Sequence, residues 1–282
     1  MTKLRNRTVL LTSCSSALGY AFAVQLAQKG ANFVLWDRDL NLVQRIAGEL
    51  TRLYGVTATP YQVDLRNKGQ IDAATRRVTL EVLHVHVVIH ASDELVTTTQ
   101  AGVAHQHSIA DKDERQIAAA MQHHTLASLW LVKSLLPVMI EGKEGGHFVF
   151  LSSSVTLLGA SSGIVDYAAS KYALLGLTRS LQHELQRLAP EIRLTTVLAP
   201  LETSKMPSSM SVGTTKKGLG HGWMKPDLIA MHTIDAIKRN KRELVLPKAL
   251  GFVRALCALL PQTWADSLLD QMKYSKTSDA LT

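Results

Sequence analysis

A tyrosine and a lysine four residues apart form the most reactive pair in the chain. Tyr167 and Lys171 stand in the segment YAASK, within helical spacing over 165–188, so their side chains share one helix face. An ammonium group beside a phenol stabilises the phenolate and lowers the phenol's pKa from its usual value of about 10. The pair can therefore exchange a proton with a substrate oxygen near neutral pH.

Three consecutive serines, Ser152, Ser153 and Ser154, follow a predicted strand just upstream of this pair. A hydroxyl group there can hold a carbonyl or alcohol oxygen in line with the phenol. The Tyr-x-x-x-Lys spacing alone is frequent by chance and is mostly a solvated pair on a helix. The serines, together with a nucleotide-type turn near the start of the chain, favour the catalytic interpretation.

That turn is the segment TSCSSALG at 12–19, between a predicted strand and a predicted helix. A strand, a tight turn of small residues and a helix N-terminus form a phosphate site, because backbone N–H groups and the helix dipole face the anion. Gly19 is the one glycine in the turn, so a purely structural turn is an equally good interpretation of this segment alone.

Acidic residues end the next two predicted strands. Asp37 can accept hydrogen bonds from ribose hydroxyls and would repel a 2′-phosphate, which predicts NAD as the cofactor. Asp64 marks the position where an adenine ring could lie. Arg38, directly after Asp37, can instead bind a 2′-phosphate, so NADP stays the alternative.

Strands alternating with helices position these residues. The alternation predicts right-handed βαβ units and therefore an α/β fold with a parallel sheet. After Pro200 the pattern becomes irregular, and we expect a substrate lid over about 201–225 and a helical extension over about 247–282, all within one domain spanning 1–282. The predicted strands are 8–11, 32–36, 57–63, 85–89, 147–151, 192–198 and 243–246, and the predicted helices are 17–28, 40–54, 67–83, 111–141 and 165–188.

Over about 6–246 the chain resembles the short-chain dehydrogenase/reductase family, whose fold is a single Rossmann-type, doubly wound parallel sheet. The family's glycine-rich turn corresponds to TSCSSALG, its acidic residue after the third strand to Asp64, and its Tyr-x-x-x-Lys to Tyr167 and Lys171. The family's catalytic serine stands thirteen residues before the tyrosine, which gives Ser154. Five segments resemble the lipid-associated branch of retinol and 17-beta-hydroxysteroid dehydrogenases: VLWD at 34–37, WLVKSLLPVM at 130–139, VDYAASK at 165–171, SLQHEL at 180–185 and RLTTVLAP at 193–200.

The resemblance implies an NAD(P)-dependent oxidoreductase that exchanges a hydride with an alcohol or ketone on a retinoid-, steroid- or lipid-like substrate. Tyr167 would be the acid–base, Ser154 would orient the oxygen, and both would bind substrate. Lys171 would lower the pKa of the Tyr167 phenol and bind the nicotinamide ribose. It also implies a homodimer through the helices of His124 and Tyr167. The implied cofactor-binding residues are Thr12, Ser13, Ser15, Ala17, Leu18, Gly19, Asp37, Asp64, Leu65, Ala91, Tyr167, Lys171, Pro200 and Thr203.

The chain departs from the family around the cofactor. Family glycines correspond to Ser13 and Ala17, and Ser13 must adopt a backbone shape that glycine takes freely. The family's Asn-Asn-Ala-Gly is IHAS at 89–92, and its fourth catalytic residue, an asparagine, aligns with His124. We expect His124 either to take over that catalytic role, by holding the water that links Lys171 to solvent, or to be a tolerated replacement with no role. The alternative function is a catalytically weak or inactive protein of the same fold that binds lipid or nucleotide, or acts as a scaffold.

Charge and cysteine content exclude other classes. The net charge is +8, and residues 216–254 hold nine basic and three acidic residues, but no zinc-finger, basic-zipper or RNA-binding spacing accompanies them. We therefore expect no nucleic-acid partner. Cys14 and Cys257 are the two cysteines, which excludes a disulfide-stapled scaffold. His123 and His124 lack the spacing of a helical zinc pair, so we expect no metal.

Two apolar segments bear on localisation. A polar cluster at 12–16 splits the segment that follows Lys3, Arg5 and Arg7, so we expect no signal peptide and a cytoplasmic protein. The segment at 244–260 is too short and too charged to span a bilayer. It could lie on an ER membrane or lipid droplet, with the basic window adding attraction to anionic lipid, or be an ordinary C-terminal helix over the substrate pocket.

Overall fold

A computed structural model describes residues 2–82, 84–92, 109–158, 164–200 and 224–273. Within these ranges, short strands alternate with helices along the chain. The strands are β1 (Thr8–Thr12), β2 (Asn32–Asp37), β3 (Ala58–Gln62), β4 (Val87–His90), β5 (Gly146–Ser153), β6 (Ile192–Ala199) and β7 (Glu243–Val245). The helices are α1 (Ala17–Ala27), α2 (Leu40–Tyr54), α3 (Lys68–Glu81), α4 (Glu114–Met121), α5 (Ala127–Glu141), α6 (Val155–Leu158), α7 (Val165–Leu188), α8 (Pro226–Lys238), α9 (Lys248–Cys257) and α10 (Gln262–Lys273).

All seven strands run parallel in the order β3-β2-β1-β4-β5-β6-β7. The chain order reverses between β1 and β4, and in such a sheet the crevice at this switch point is where ligands bind. Separate apolar cores cover the two faces, and Phe22 and Phe148 lie on opposite sides. The predicted α/β fold of Rossmann type is confirmed.

The predicted helix over 111–141 is not continuous. Residues Gln122–Leu126 form a π-helical turn between α4 and α5, in which the Ala127 N–H donates to the Gln122 carbonyl. A short 3-10 turn, Ile109–Asp111, precedes α4. The sequence analysis also missed α8, although Pro226 at its first turn is a typical helix start.

The C-terminal segment after β7 forms α9 and α10. Of the helices in the described ranges, none is long and apolar enough to cross a membrane. The basic residues Lys238, Arg239, Lys241 and Arg242 precede β7 and lie at the amino edge of the sheet, where the Thr2 N–H donates to the Lys238 carbonyl. Lys248 and Arg254, which belong to the same basic window, stand on α9 itself, and Arg254 pairs with Glu243, the residue after Arg242.

Candidate active site

The beginning of α7 carries a buried tyrosine–lysine pair. Tyr167 is 8% exposed and Lys171 is fully buried, and the Lys171 Nζ atom lies 5.6 Å from the centre of the Tyr167 ring. Lys171 donates to the carbonyl of Ser92 at 2.6 Å and to that of Leu151 at 3.3 Å. Backbone carbonyls from the ends of β4 and β5 thus compensate the buried ammonium group and fix it beside the phenol.

His124 joins this pair from the π-helical turn. Its Nδ1 atom is 2.8 Å from the Ser92 hydroxyl, and its ring meets the Tyr167 ring edge-on with the centres 5.5 Å apart. The Ser128 hydroxyl donates to the His124 carbonyl at 2.7 Å. The π turn adds a residue to the helix and is a feature that recurs at functional sites.

Ser92 is a site residue that the sequence analysis missed. Its carbonyl accepts from Lys171 and its hydroxyl bonds to His124, so it links two of the predicted catalytic residues. The signal in the sequence was the serine at the position of the family's last glycine in IHAS. We call Tyr167, Lys171, His124 and Ser92 the catalytic cluster.

Ser154 is the first residue after β5. Its N–H donates to the Ala199 carbonyl at 3.1 Å, and its carbonyl accepts from the Leu157 N–H at 2.9 Å. These bonds hold the turn at the carboxyl edge, where β5 and β6 end together and Pro200 follows. Ser154 and the catalytic cluster therefore stand at the same edge of the sheet.

The nucleotide turn, residues 12–19, combines one indispensable glycine with one strained serine. A Cβ atom on Gly19 would lie 2.1 Å from the Ser13 carbonyl oxygen, so the backbone crossing admits glycine alone. Ser13 has a φ of 51°, in the left-handed region that glycine adopts without strain. The Ser16 hydroxyl caps α1 by accepting from the Gly19 N–H at 3.0 Å. Leu18 is buried under the turn, and Ala17 is the first residue of α1.

Two contacts of the Thr12 hydroxyl, one of them with a histidine, tie β1 to the end of β4 at the switch point. The Thr12 hydroxyl is 3.0 Å from His90 Nδ1 and accepts from the Ala91 N–H at 3.2 Å. Burial holds the pKa of His90 well below its usual value, so this imidazole stays neutral. His90 occupies a position of the family's Asn-Asn-Ala-Gly, and its ring nitrogen makes the bond that connects the two strand ends.

An open cleft of about 410 Å³ lies beside the nucleotide turn. Asp37 is buried there, and its Oδ2 atom accepts from the Ser15 N–H at 2.9 Å. Asp64 pairs with Arg66 at 2.7 Å, and this partner keeps the pKa of the carboxyl below its usual range. Burial and the Lys171 charge lower the pKa of His123 to about 4. The cleft is lined by Ser13, Ser15, Trp36, Asp37, Arg38, Val63, Asp64, Leu65, Arg66 and His123.

These residues fit a dinucleotide. The Gly19 crossing leaves the backbone of the turn open to close approach, and α1 begins there without acidic residues in its first turn. The cleft beside it offers carboxylates and guanidinium groups to a nucleoside. The structure thus brings together the predicted residues of the turn, Asp37, Asp64 and Leu65. Thr203 and the predicted lid up to residue 223 lie outside the described residues.

Comparison with known proteins decides the family. The family model described as short chain dehydrogenase matches residues 7–211. The chain belongs to the short chain dehydrogenase family. The resemblance drawn from its motifs is therefore confirmed, and with it an oxidoreductase class that uses NAD(P) on CH–OH groups.

Relatives from the expected branch are similar over most of their length. The chain is 28% identical to human 17-beta-hydroxysteroid dehydrogenase 13 over 267 residues, which cover 94% of this chain and 82% of that protein. It is 30% identical to mouse epidermal retinol dehydrogenase 2 over 255 residues, 90% of this chain and 78% of that protein.

Solved structures share the fold. A short chain dehydrogenase/reductase from Burkholderia phymatum in complex with NAD aligns with a TM-score of 0.74 and 21% identity, covering 92% of this chain and 95% of that one. A short-chain dehydrogenase from Sphingobium yanoikuyae in complex with NADPH aligns at 0.71 and 21% identity, covering 97% and 99%. Both cofactor types thus occur among proteins of this fold.

Proposed function

We propose that the protein interconverts an alcohol and a ketone or aldehyde on a hydrophobic substrate, with Tyr167 as the acid–base. The observation that carries this proposal is the buried Lys171 ammonium group 5.6 Å from the Tyr167 ring. A cation held there stabilises the phenolate, whereas a solvated pair on a helix would not need two backbone carbonyls as partners.

The residues divide the reaction between them. In reduction the Tyr167 hydroxyl donates a proton to the substrate oxygen, and in oxidation the phenolate accepts the proton of the alcohol. Ser154 holds that oxygen by a hydrogen bond, and Lys171 stabilises the phenolate and binds the nicotinamide ribose. When bound, the nicotinamide supplies or accepts the hydride. The nucleotide turn, Asp37, Asp64, Leu65, Ala91, Pro200 and Thr203 would hold the dinucleotide.

His124 takes the position of the family's fourth catalytic residue. We assign to it the task of holding the water that links Lys171 to solvent. Either imidazole nitrogen can hydrogen-bond, and the contact of Nδ1 with Ser92 ties the ring to the same residue that binds Lys171.

NAD is the cofactor that the cleft favours. Asp37 is buried beside the turn and accepts from the Ser15 N–H at 2.9 Å, the Asp39 N–H at 3.4 Å and the Cys14 thiol at 3.9 Å. A carboxylate has about four acceptor sites, so a ribose hydroxyl can still bind it. Arg38, which lines the same cleft directly after Asp37, is the feature that supports NADP. Dissociation constants for NADH and NADPH decide this, and tighter binding of NADPH would overturn the preference.

The substrate class follows from the relatives and from the surface of α9. The relatives named for hydroxysteroids and retinol suggest a steroid- or retinoid-like alcohol. Apolar side chains of Phe252 (74%), Leu259 (84%) and Trp264 (68%) are exposed. Phe252 stands on α9, Leu259 follows α9, and Trp264 stands on α10. Because α9 packs against α6, which follows Ser154, this apolar surface lies near the edge of the sheet that carries the catalytic cluster. We propose that it contacts phospholipid, as on an ER membrane or lipid droplet, and that substrate enters from the lipid.

A vesicle assay tests the lipid contact. Phe252→Ser with Trp264→Ser should abolish co-sedimentation, whereas Leu80→Ser, which replaces an exposed leucine on α3, should leave it intact. Arg254 pairs with Glu243 and the proposed contact is made by apolar side chains, so we expect salt to weaken binding little. Recovery of the unmodified protein wholly in the supernatant, with neutral and anionic vesicles, would refute this contact.

A homodimer is the expected assembly. Leu129 on α5 is 42% exposed and Tyr172 on α7 is 47% exposed, and we propose that these helices meet those of a second copy. Light scattering should give twice the chain mass for the unmodified protein and for Leu80→Glu. Leu129→Glu with Tyr172→Glu should give the monomer mass, and a monomeric unmodified protein would contradict the proposal.

Turnover and cofactor binding test the function itself. Purified protein is titrated with NADH and NADPH by fluorescence, and then assayed with a retinoid alcohol, a steroid alcohol and their carbonyl forms. Binding with turnover supports the oxidoreductase. Binding without turnover on any of these favours the alternative of an inactive nucleotide- or lipid-binding protein, and absence of binding at millimolar cofactor would refute the enzyme.

A further inference from the structure

A buried ion pair lies next to the tyrosine of the catalytic cluster. Lys112 donates from Nζ to Oδ1 of Asp166, and their side chains are only 10% and 7% exposed. Asp166 is the residue before Tyr167 in the first turn of α7. Removing two charges from water is costly, and the cost is offset only when the partners stay together in good geometry.

This pair joins the two elements that carry the reactive side chains. The residue before α7, Ile164, makes no side-chain cap, so Asp166 is the acidic group that complements the helix dipole there. Lys112 stands just before α4, the helix that runs into the π turn with His124. The ion pair therefore connects the start of α7 to the start of the α4 segment.

We propose that Lys112 and Asp166 are positioning residues for Tyr167, fixing the first turn of α7 and cancelling each other's charge beside the phenol. The proposal rests on the acid–base role of Tyr167 given above. It explains why two largely buried charges, 54 residues apart in the chain, meet at the residue directly before Tyr167.

Other charged groups near the phenol are few among the described residues. His124 on the π turn and Lys171 on α7 contact the Tyr167 ring. Packed against α7, α6 carries no titratable side chain, and Glu114 and Arg115 of α4 are exposed. Asp111 and Asp113 flank Lys112 and are exposed as well. His90 and His123 interact with Lys171 but stay neutral near pH 7, because burial lowers the pKa of both imidazoles.

Opposite charge changes should move the ionisation of Tyr167 in opposite directions. Lys112→Met leaves the Asp166 carboxylate uncompensated and should raise the pH at which the phenol ionises, by up to about one unit. Asp166→Asn leaves the Lys112 ammonium group and should lower it. Lys112→Arg keeps the charge and should restore the original value. If the pair had only a structural role, none of these substitutions would change the pH at which Tyr167 ionises.

Tyrosinate absorbance gives this readout without turnover. Each protein is titrated against its own Tyr167→Phe counterpart, so that the difference reports Tyr167 alone among the six tyrosines. Lys68→Met, which breaks an exposed pair with Asp72 on α3, is the matched control and should leave the value unchanged. Coincident values for Lys112→Met, Asp166→Asn and the unmodified protein would overturn the proposal.

A neutral double variant covers the case in which the single variants do not fold. Lys112→Met with Asp166→Asn removes both charges, so Tyr167 should ionise as in the unmodified protein while kcat falls several-fold at unchanged KM. An unchanged kcat in the double variant would refute a positioning role. A different result separates the two ideas. If the single charge variants shift the Tyr167 titration but the unmodified protein turns over no substrate, the proposed function fails and the positioning inference stands.

Discussion

The nucleotide turn and the catalytic cluster face each other at one edge of the sheet, yet they tolerate sequence change differently. The turn keeps Gly19, where a Cβ would lie 2.1 Å from a backbone oxygen, but carries a serine at position 13 with a φ of 51°. The catalytic cluster keeps Tyr167 and Lys171. A Cβ atom at position 19 would force the backbone of the turn to shift, whereas a left-handed serine costs about 1–2 kcal/mol without moving it. Of the three family glycine positions in the turn, the chain therefore keeps glycine at the one where a side chain would displace the backbone, and it carries Ser13 and Ala17 at the other two.

The largest expected effect is the loss of turnover in Tyr167→Phe, which should leave cofactor binding nearly unchanged. Tyr167→Phe removes the hydroxyl and keeps the buried ring, so we expect turnover to fall by about 10²–10⁴-fold with the NADH dissociation constant nearly unchanged. Lys171→Ala should damage both, because this side chain serves the phenol and the ribose. Steady-state rates and fluorescence titration measure the two quantities, and more than a few per cent of activity in Tyr167→Phe would disprove its acid–base role.

Gly19→Ala tests whether the nucleotide turn tolerates a side chain at position 19. The methyl group meets the Ser13 carbonyl, so the turn must shift, and we expect a loss of about 1–3 kcal/mol of unfolding free energy with weak cofactor binding. Gly48→Ala on α2 is the control, since no atom lies within 4 Å of the added carbon. It should stabilise the protein by about 0.5–1 kcal/mol. Equal denaturation midpoints for the two variants would contradict the steric argument.

His124 tests whether the catalytic cluster accepts substitution. Under the proposed water-holding role, His124→Asn should keep or raise kcat, and His124→Ala should lower it several-fold. The cofactor dissociation constant is the control quantity and should change little in either variant. Equal kcat values for the three proteins would exclude the role.

Ser13→Gly should give the smallest effect. Glycine relieves the positive φ but loses more entropy on folding, so the unfolding free energy should change by less than about 1 kcal/mol. NADH affinity should rise a few-fold because the turn relaxes against the pyrophosphate. Lys143→Gly removes a similar strain, at a φ of 54°, from the end of α5 and should leave NADH affinity unchanged. An equal rise in NADH affinity in both variants would show that the positive φ at Ser13 has no specific effect on cofactor binding.

Local spacing predicted much of the fold and part of the site. The strand, turn and helix from Thr8 to Ala27 follow from an apolar run, small residues and helical spacing, all within one short segment. The π turn could not be predicted, because 111–141 reads as one continuous helix. The π turn is accompanied by tertiary contacts, because His124 packs on Tyr167 and hydrogen-bonds to Ser92. Ser92 could not be predicted for the same reason, since its partners His124 and Lys171 lie on two other elements.

By itself the sequence determined most of the strands and helices, the tyrosine–lysine pair and the family, because each depends on patterns of residues close together in the chain. Tertiary structure alone decided the strand order, the Lys112–Asp166 pair and the bond between Asp37 and the nucleotide turn. These contacts join residues 22 and 54 positions apart in the chain, so no local pattern in the sequence could predict them.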